Sequence, residues 1–394
     1  MAHKSIVMIR SIDKIYGYIP ADKMMRSRPA MNPIDITKKL TFSEFMQFAL
    51  YDSEHGYYAK KETVLGDRGD FVTAPLISPL FSKTLARQVS EVLQALPHAD
   101  VLELGPGTGQ MAADILLQLE SLHTLPQNYY LIEISPTLRA KQQATLKKTC
   151  PHLYDLCQWI PTFPDTPFRG VILGNEFLDA LPVERFLFKN NVFLQSRVSL
   201  NQNTWHETFE ASHDPQFLNA MISLQEDLDA PLPAPYLSEV CLIMNEIIEK
   251  ACHSLSEGIL LFIDYGFGAK EYYHPDRREG TLMCHHQHLA HSDPFIHVGQ
   301  QDITAHVNFT AVTKTALHHH CSLEGYTTQA DFLMALGILD LAEADTVEKT
   351  LANAQVLKKL LMPHEMGELI KVMALAKNYT QPLSGFVKDV RHRL

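Results

Sequence analysis

Three closely spaced glycines follow a short apolar run in the segment VLELGPGTGQ, residues 101–110. The pattern predicts a β-strand, a tight glycine turn and the start of a helix, because the following MAADILLQLE has helical periodicity. Free backbone N–H groups point outward at a helix N-terminus and suit a polar or anionic ligand. The segment therefore predicts a nucleotide-type cofactor site, with an ordinary tight turn between strand and helix as the alternative.

Carboxylates near this turn help to choose among nucleotide cofactors. A dinucleotide turn reads GxGxxG, whereas here Glu103 precedes Gly105, Gly107 and Gly109. An acid followed by GxGxG is typical of class I S-adenosylmethionine-dependent methyltransferases. That cofactor carries an ammonium and a sulfonium but no phosphate, so a carboxylate attracts it. Glu133 ends the next predicted strand, where a carboxylate can accept hydrogen bonds from both ribose hydroxyls.

Further side chains follow the third, fourth and fifth predicted strands. Trp159 ends the third strand, where its ring either covers the adenine or packs in the core. Asn175, Glu176 and Asp179 follow the fourth strand, and Asp264 follows the fifth. An open α/β sheet binds ligands beyond the carboxyl ends of its strands. These residues therefore either bind ligands, with Asn175 predicted at the cofactor and the three acids at the methyl acceptor, or cap the start of a helix.

Short apolar strands alternate with helices from residue 99 onward, which predicts a parallel α/β sheet. The predicted strands are 99–104, 129–134, 155–160, 170–174 and 258–266. Helices are predicted over 37–52, with Thr41 or Ser43 as its N-cap, and over 77–96 and 236–255. The segment 185–209 indicates β-hairpins, and residues 326–394 indicate helices.

We expect an α/β fold in which a Rossmann-like class I methyltransferase sheet carries a helical N-terminal cap, a β-rich insertion and a helical C-terminal segment. The expected parts are a poorly ordered extension over 1–33, the cap and a lid loop over 34–98, the sheet core over 99–184 and 236–325, the substrate-side insertion over 185–235, and the C-terminal segment over 326–394.

Composition excludes several classes of function. The 394 residues carry a formal net charge of -11, which argues against a nucleic-acid binder. No apolar run approaches the roughly 18 residues of a membrane helix, so no membrane insertion is expected. The six cysteines form no CxxC pair and indicate reduced thiols of an intracellular protein. The histidine-rich stretches at 284–297 and 318–320 match no zinc spacing, so we predict no metal and expect the second stretch at an exposed helix end.

Seven segments carry a family resemblance: in chain order, GDFVTAP, LELGPGTG, NEFLDALPVERF, DYGFG, DITAHVNFTAV, FLMALGI and MGELIKVMALAK. They resemble the MidA-like family, whose mitochondrial members are arginine methyltransferases that assist assembly of respiratory complex I. The resemblance runs from about residue 34 to about residue 380. Leu76 stands where the family motif PEIS has an acid, and Asn308 where its motif HVDF has one.

The resemblance implies roles for individual residues. S-adenosylmethionine would be held by Gly105, Gly107, Gly109 and Glu133, with Asp70 and Thr73 closing over it. Glu176 would lie at the acceptor, and His288 and Asp302 would line the acceptor pocket. The implied partner is a protein, which for the mitochondrial members is the 49-kDa-type subunit of complex I, methylated symmetrically on an arginine. The implied location is the mitochondrial matrix, or the cytoplasm for a bacterial member.

For such a reaction Glu176 is predicted to bind the guanidinium bidentately and to accept its proton. Asp179 or Asp264 is predicted either as its partner or as a residue that supports it from behind. Two other functions stay open: an assembly factor that keeps the fold without turnover, and a small-molecule methyltransferase. The intact glycine turn favours cofactor binding, and the large insertion favours a protein acceptor. The apolar helices at 77–96 and 332–340 are either core or the surface of a homodimer.

Overall fold

The computed structural model describes residues 34–59, 73–287 and 289–394. Two predicted site residues, Asp70 and His288, lie outside the described residues, as does the extension over 1–33. In the part of the chain that is described, no helix combines the length and the apolar character needed to cross a membrane.

The strands of the described residues are β1 (Leu40–Thr41), β2 (Asp100–Leu104), β3 (Tyr129–Ile132), β4 (Cys157–Ile160), β5 (Phe168–Asn175), β6 (Glu184–Lys189), β7 (Val192–Asn201), β8 (Thr204–Ala211), β9 (Tyr236–Val240), β10 (Leu255–Phe267), β11 (Met283–His286), β12 (Leu289–His291), β13 (Asp302–Thr304), β14 (Val307–Asn308), β15 (Ser322–Thr328) and β16 (Ile370–Lys377). The α-helices are α1 (Phe42–Tyr51), α2 (Ala74–Ile77), α3 (Pro79–Ala95), α4 (Gln110–Ser121), α5 (Pro136–Thr149), α6 (Pro215–Glu226), α7 (Ile243–Ser254), α8 (Ala269–Tyr272), α9 (Phe309–His318), α10 (Gln329–Ala335), α11 (Ile338–Leu341) and α12 (Val347–Leu361).

The central sheet has the strand order β15-β16-β10-β5-β2-β3-β4. The strands from β10 to β4 run parallel, and β16 runs antiparallel between β10 and β15. The chain order reverses between β2 and β5, so the carboxyl ends of these two strands are adjacent and frame a crevice. The predicted α/β class is confirmed.

Both faces of this sheet are covered by helices, because alternate residues of a strand point to opposite faces. Val101 belongs to the buried layer that contains side chains of α3 and α4, while Leu102 belongs to the layer of α7 and α9. Both side chains are fully buried. The apolar runs that predicted parallel strands are therefore the two-sided core of the molecule.

The inserted residues form a second, antiparallel sheet together with β1 and β9, in the order β1-β7-β6-β9, with β8 paired to β7. Thr41 caps α1 through a reciprocal capping box with Glu44, which selects Thr41 over Ser43 as the N-cap. The apolar face of α1 packs with Val183 and Val198 at this sheet. The N-terminal helix and the insertion therefore build one wall beside the crevice.

Two predictions of secondary structure are wrong. Residues 236–255 were predicted as one helix, but Tyr236–Val240 is a strand paired with β6, and the helix begins at Ile243. The C-terminal segment contains the expected helices and also the strand Ile370–Lys377. That strand is rich in good helix formers, and its position between two strands of the buried sheet overrides their propensity.

Candidate active site

A cavity of about 1980 Å³ lies beyond the carboxyl ends of β2, β3 and β5. Ligand pockets commonly measure roughly 300–1,000 Å³, so this one has room for a cofactor and part of a second molecule. Most of the described predicted site residues line it: Thr73, Glu103, Gly105, Gly107, Glu133, Asn175, Glu176, Asp179 and Asp302.

The glycine turn has a backbone that only glycine adopts easily. Gly105, Gly107 and Gly109 have φ angles of 60°, 52° and 79°, all in the left-handed region. A Cβ on Gly105 would lie 2.9 Å from the Phe177 ring, and one on Gly109 would lie 3.0 Å from Cα of Gln142. The turn is thus tightly packed at Gly105 and Gly109, and Gly105 and Gly107 border the cavity.

Glu133 is a buried carboxylate held in place at the end of β3. Its Oε1 accepts a hydrogen bond from the N–H of Ser135 at 2.8 Å, and its Oε2 accepts one from the Gln142 side chain at 3.0 Å. The Gln142 amide also donates to the carbonyl of Gly107 at 3.0 Å. Burial raises the pKa of Glu133 despite these donors. Gln142 therefore joins the ribose-side carboxylate to the glycine turn, a role that no local sequence pattern signals.

Glu103 and Trp159 differ from the other predicted cofactor residues. Glu103 reaches the cavity, but its carboxylate accepts a 2.6 Å hydrogen bond from the hydroxyl of Tyr129, and burial raises its pKa to about 7. The Trp159 indole N–H donates to Gln142 at 2.9 Å, and its ring contacts Tyr154. Trp159 is absent from the described lining of the cavity, so the structure favours its packing alternative.

Glu176 combines backbone strain with a carboxylate oxygen that lacks a hydrogen-bond partner. Its φ of 48° lies in the left-handed region, which costs energy for a residue with a Cβ. Its Oε1 accepts hydrogen bonds from the N–H of Ala74 at 3.3 Å and from the Asn175 amide at 3.4 Å. Its Oε2 is buried without a partner among the described residues. Burial and the nearby Asp179 raise the pKa of Glu176 to about 8.

Asp264 holds the turn that carries Glu176. Its Oδ2 accepts hydrogen bonds from the N–H groups of Phe177, Leu178 and Asp179 at 3.1, 2.8 and 3.4 Å. Asp264 is fully buried and is absent from the cavity lining of the described chain. The structure thus favours the supporting role of Asp264 over that of a direct partner of Glu176.

Asp179 and Asp302 face the cavity beside two stacked tyrosines. The rings of Tyr51 and Tyr58 lie 5.4 Å apart at an angle of 26°. The Tyr58 hydroxyl donates to Asp302 at 3.0 Å, and the Tyr51 hydroxyl donates to the carbonyl of Ala180 at 2.8 Å. Burial and the neighbouring Asp264 and Asp302 raise the pKa of Asp179. Neither tyrosine was predicted as a site residue, although both lie in the segment 34–98 that was predicted to form the cap and lid loop.

The two departures from the family motifs have separate places in the fold. Leu76 lies in α2 and lines the cavity. Asn308 is the N-cap of α9, and its side chain accepts hydrogen bonds from the N–H groups of Thr310 and Ala311. Asparagine and aspartate cap helices about equally well, so this substitution preserves the start of α9.

The residues at the β2 and β3 ends fit S-adenosyl-L-methionine. The glycine turn leaves room for backbone approach at Gly105 and Gly107, and the Glu133 carboxylate lies at the cavity where ribose hydroxyls would donate to it. Glu103 adds a carboxylate, as suits a cofactor with an ammonium group and no phosphate.

Comparisons with known proteins agree with this geometry. Residues 84–327 match the model of a family described as "Putative S-adenosyl-L-methionine-dependent methyltransferase". The chain is 37% identical, with a TM-score of 0.84, to a protein described as a "likely methyl transferase from Burkholderia thailandensis bound to S-adenosyl-homocysteine", and the match covers 90% of this chain and 92% of that one.

Two relatives of this chain are named as protein arginine methyltransferases. The mitochondrial protein arginine methyltransferase NDUFAF7 of Danio rerio is 27% identical over 397 residues, which cover 89% of this chain and 90% of the relative. The mitochondrial protein of the same name from Homo sapiens is 28% identical and is matched over 90% of this chain and 84% of its own length.

Proposed function

This chain belongs to the family of S-adenosyl-L-methionine-dependent methyltransferases that its residues 84–327 match, and we propose that it transfers the methyl group to an arginine side chain of a protein. The observation that carries the proposal is Glu176: a cavity-lining carboxylate in a strained turn, with one oxygen that no described residue satisfies. An unsatisfied buried acceptor is costly, and a guanidinium supplies the missing donors.

The residues at the glycine turn and Glu133 would hold the cofactor, which supplies a methyl group on a sulfonium. Displacement at that methyl requires the attacking nitrogen to lie in line with it, so catalysis depends largely on position. The turn after β5 supplies this position for Glu176, because Asp264 fixes three consecutive N–H groups of the turn.

A guanidinium is a poor nucleophile because it keeps its charge far above neutral pH. Two hydrogen bonds to one carboxylate fix its plane and draw positive charge toward one side. Burial raises the pKa of Glu176 to about 8, and a bound cation favours the ionised form. Glu176 is thereby suited to bind the guanidinium as a carboxylate and then to accept its proton.

The charge of the cavity supports a cationic acceptor. Carboxyl groups exceed lysines by eleven to three among the described lining residues, and a bound cation favours the ionised form even of those whose pKa is raised by burial. The carboxylates are Asp35, Glu44, Glu103, Glu133, Glu176, Asp179, Glu184, Asp214, Glu246, Glu249 and Asp302.

A protein acceptor is supported by the volume of the cavity and by its wall. Side chains of α1, α6 and α7 line the cavity together with the glycine turn, and a peptide segment would lie against them. The names of the relatives support arginine as the acceptor residue. From the MidA-like resemblance we further propose the 49-kDa-type subunit of respiratory complex I as the substrate, methylated in the mitochondrial matrix or, in a bacterium, the cytoplasm.

The experiment is to incubate the enzyme with S-adenosylmethionine and the purified 49-kDa-type subunit, and to map the added mass by tandem mass spectrometry. We expect methyl groups on one arginine, and no modification when that arginine is replaced by lysine. Arginine methylation of other proteins but not of this subunit would overturn the proposed substrate. Turnover of small metabolites without any protein methylation would overturn the arginine proposal.

A further inference from the structure

Three side chains that the proposed reaction does not use meet at the ends of α7 and α9. Glu249 and His253 lie on α7, and His319 is the residue that caps the C-terminal end of α9. One donor atom from each of the three lies within 4.8 Å of the others. Nδ1 of His253 is 4.0 Å from Oε1 of Glu249, and the two imidazole rings have centroids 5.1 Å apart.

The fold holds these side chains on rigid elements. Glu249 and His253 are four residues apart and share one face of α7. Ile248 and Cys252 of α7 pack in one buried cluster with Val312 and Ala316 of α9. Because both helices are fixed by this core, their ends meet without help from a ligand.

The chemistry of the set is that of a transition-metal site. Two imidazoles and one carboxylate are the ligands found in three-residue zinc sites that keep a fourth position for water. A neutral imidazole binds such an ion through a ring nitrogen, and an ionised carboxylate binds it through oxygen. A tetrahedral ion with bonds of about 2.0–2.1 Å needs donors roughly 3.4 Å apart, which rotation of the half-exposed side chains provides.

We propose that Glu249, His253 and His319 form a binding site for one divalent transition-metal ion of the zinc type. The ion would tie the end of α7 to the end of α9. Glu249 and His253 also line the cavity, so the ion would lie at its wall. Sequence spacing does not reveal such a site, because His319 is far from the other two ligands along the chain.

The test uses the full-length protein without a histidine tag, freed of metal by chelation. Calorimetric titration with Zn²⁺ should show one equivalent at micromolar or tighter affinity, and Co²⁺ should give the visible absorption of a four-coordinate ion. His253→Ala and His319→Ala should each weaken binding at least tenfold. His318→Ala is the matched control, because His318 neighbours His319 and is not part of the set, and its binding should equal that of the wild type.

The unfolding temperature of each metal-free variant shows whether it is folded. Zn²⁺ should raise this temperature in the wild type and in His318→Ala, and should leave the other two variants unchanged. The proposal is overturned if the wild type shows no saturable binding, or if His253→Ala and His319→Ala bind as the wild type does. It is also overturned if His318→Ala loses binding equally, since the ion would then be an adventitious ligand of the exposed histidine run.

Discussion

Replacing Glu176 by glutamine removes one buried charge and preserves the shape of the side chain. The pKa of about 8, against 4.5 for a solvated glutamate, corresponds to about 5 kcal/mol between the two protonation states. The native state holds this proton more tightly than the unfolded chain does. Ionisation of Glu176 therefore destabilises the fold as pH rises from 4.5 to about 8, and the loss is complete above that pH.

Glutamine does not ionise, so the variant does not lose stability in this way. The free energy of unfolding of Glu176→Gln minus that of the wild type should therefore increase as pH rises. Between about pH 5.5 and about pH 8.5 the expected gain is about 3 kcal/mol, because about 1.4 kcal/mol of the difference already lies below pH 5.5. Urea unfolding followed by circular dichroism measures it, with equal m values in the two proteins as the check that the same transition is compared.

Glu246→Gln is the matched control. Glu246 lines the same cavity, but its side chain is half exposed and pairs with Lys250 in solvent. Its stability difference from the wild type should stay constant over this pH range. The free energy of unfolding of Glu176→Gln relative to the wild type could also prove independent of pH. Glu176 would then ionise as it does in water, and its description as a desolvated carboxylate that binds a cation would be wrong.

Three further changes test parts of the site. Gly109→Ala should cost about 1–2 kcal/mol of stability because its φ is left-handed, and calorimetry should show cofactor binding weakened at least tenfold. Gly337→Ala, with a similar φ of 75° at the start of α11, should cost stability alone, and equal effects of the two changes on affinity would contradict the role assigned to Gly109. Asp264→Asn should lower kcat about 10- to 100-fold while cofactor affinity stays the same, because the turn that Asp264 holds after β5 becomes looser. An unchanged kcat would contradict the positioning role of Asp264. Tyr58→Phe, which loses the hydrogen bond to Asp302, should raise KM for the acceptor severalfold without changing cofactor affinity. A change in cofactor affinity with an unchanged KM for the acceptor would contradict the placement of Tyr58 at the acceptor.

The parts of the site that the sequence predicts are those whose signals are local. A left-handed turn after an apolar strand requires glycine, so Gly105, Gly107 and Gly109 identify it without a structure. The carboxyl ends of parallel strands meet at one edge, so Glu133 and Glu176 could be placed at a common cavity. A strand end alone does not show which way a carboxylate points, so the sequence left open whether Asp264 contacts the acceptor or supports Glu176.

The missed parts depend on contacts between distant segments. Gln142 sits in a helix of otherwise ordinary pattern, and only the packing of that helix on the glycine turn brings its amide to Glu133. Tyr58 reaches Asp302 across 244 positions of the chain. The strand Ile370–Lys377 follows the same rule, because its buried neighbours and not its helix-forming residues decide its conformation.

The proposed role of Glu176 is tested most directly by a single-turnover measurement of methyl transfer by the wild type and Glu176→Gln, with cofactor affinity measured in parallel. The role of Glu176 in binding the guanidinium and accepting its proton predicts that the variant binds S-adenosylmethionine as the wild type does and transfers its methyl group to arginine at least 100-fold more slowly. Transfer at the wild-type rate with unchanged cofactor affinity would contradict it.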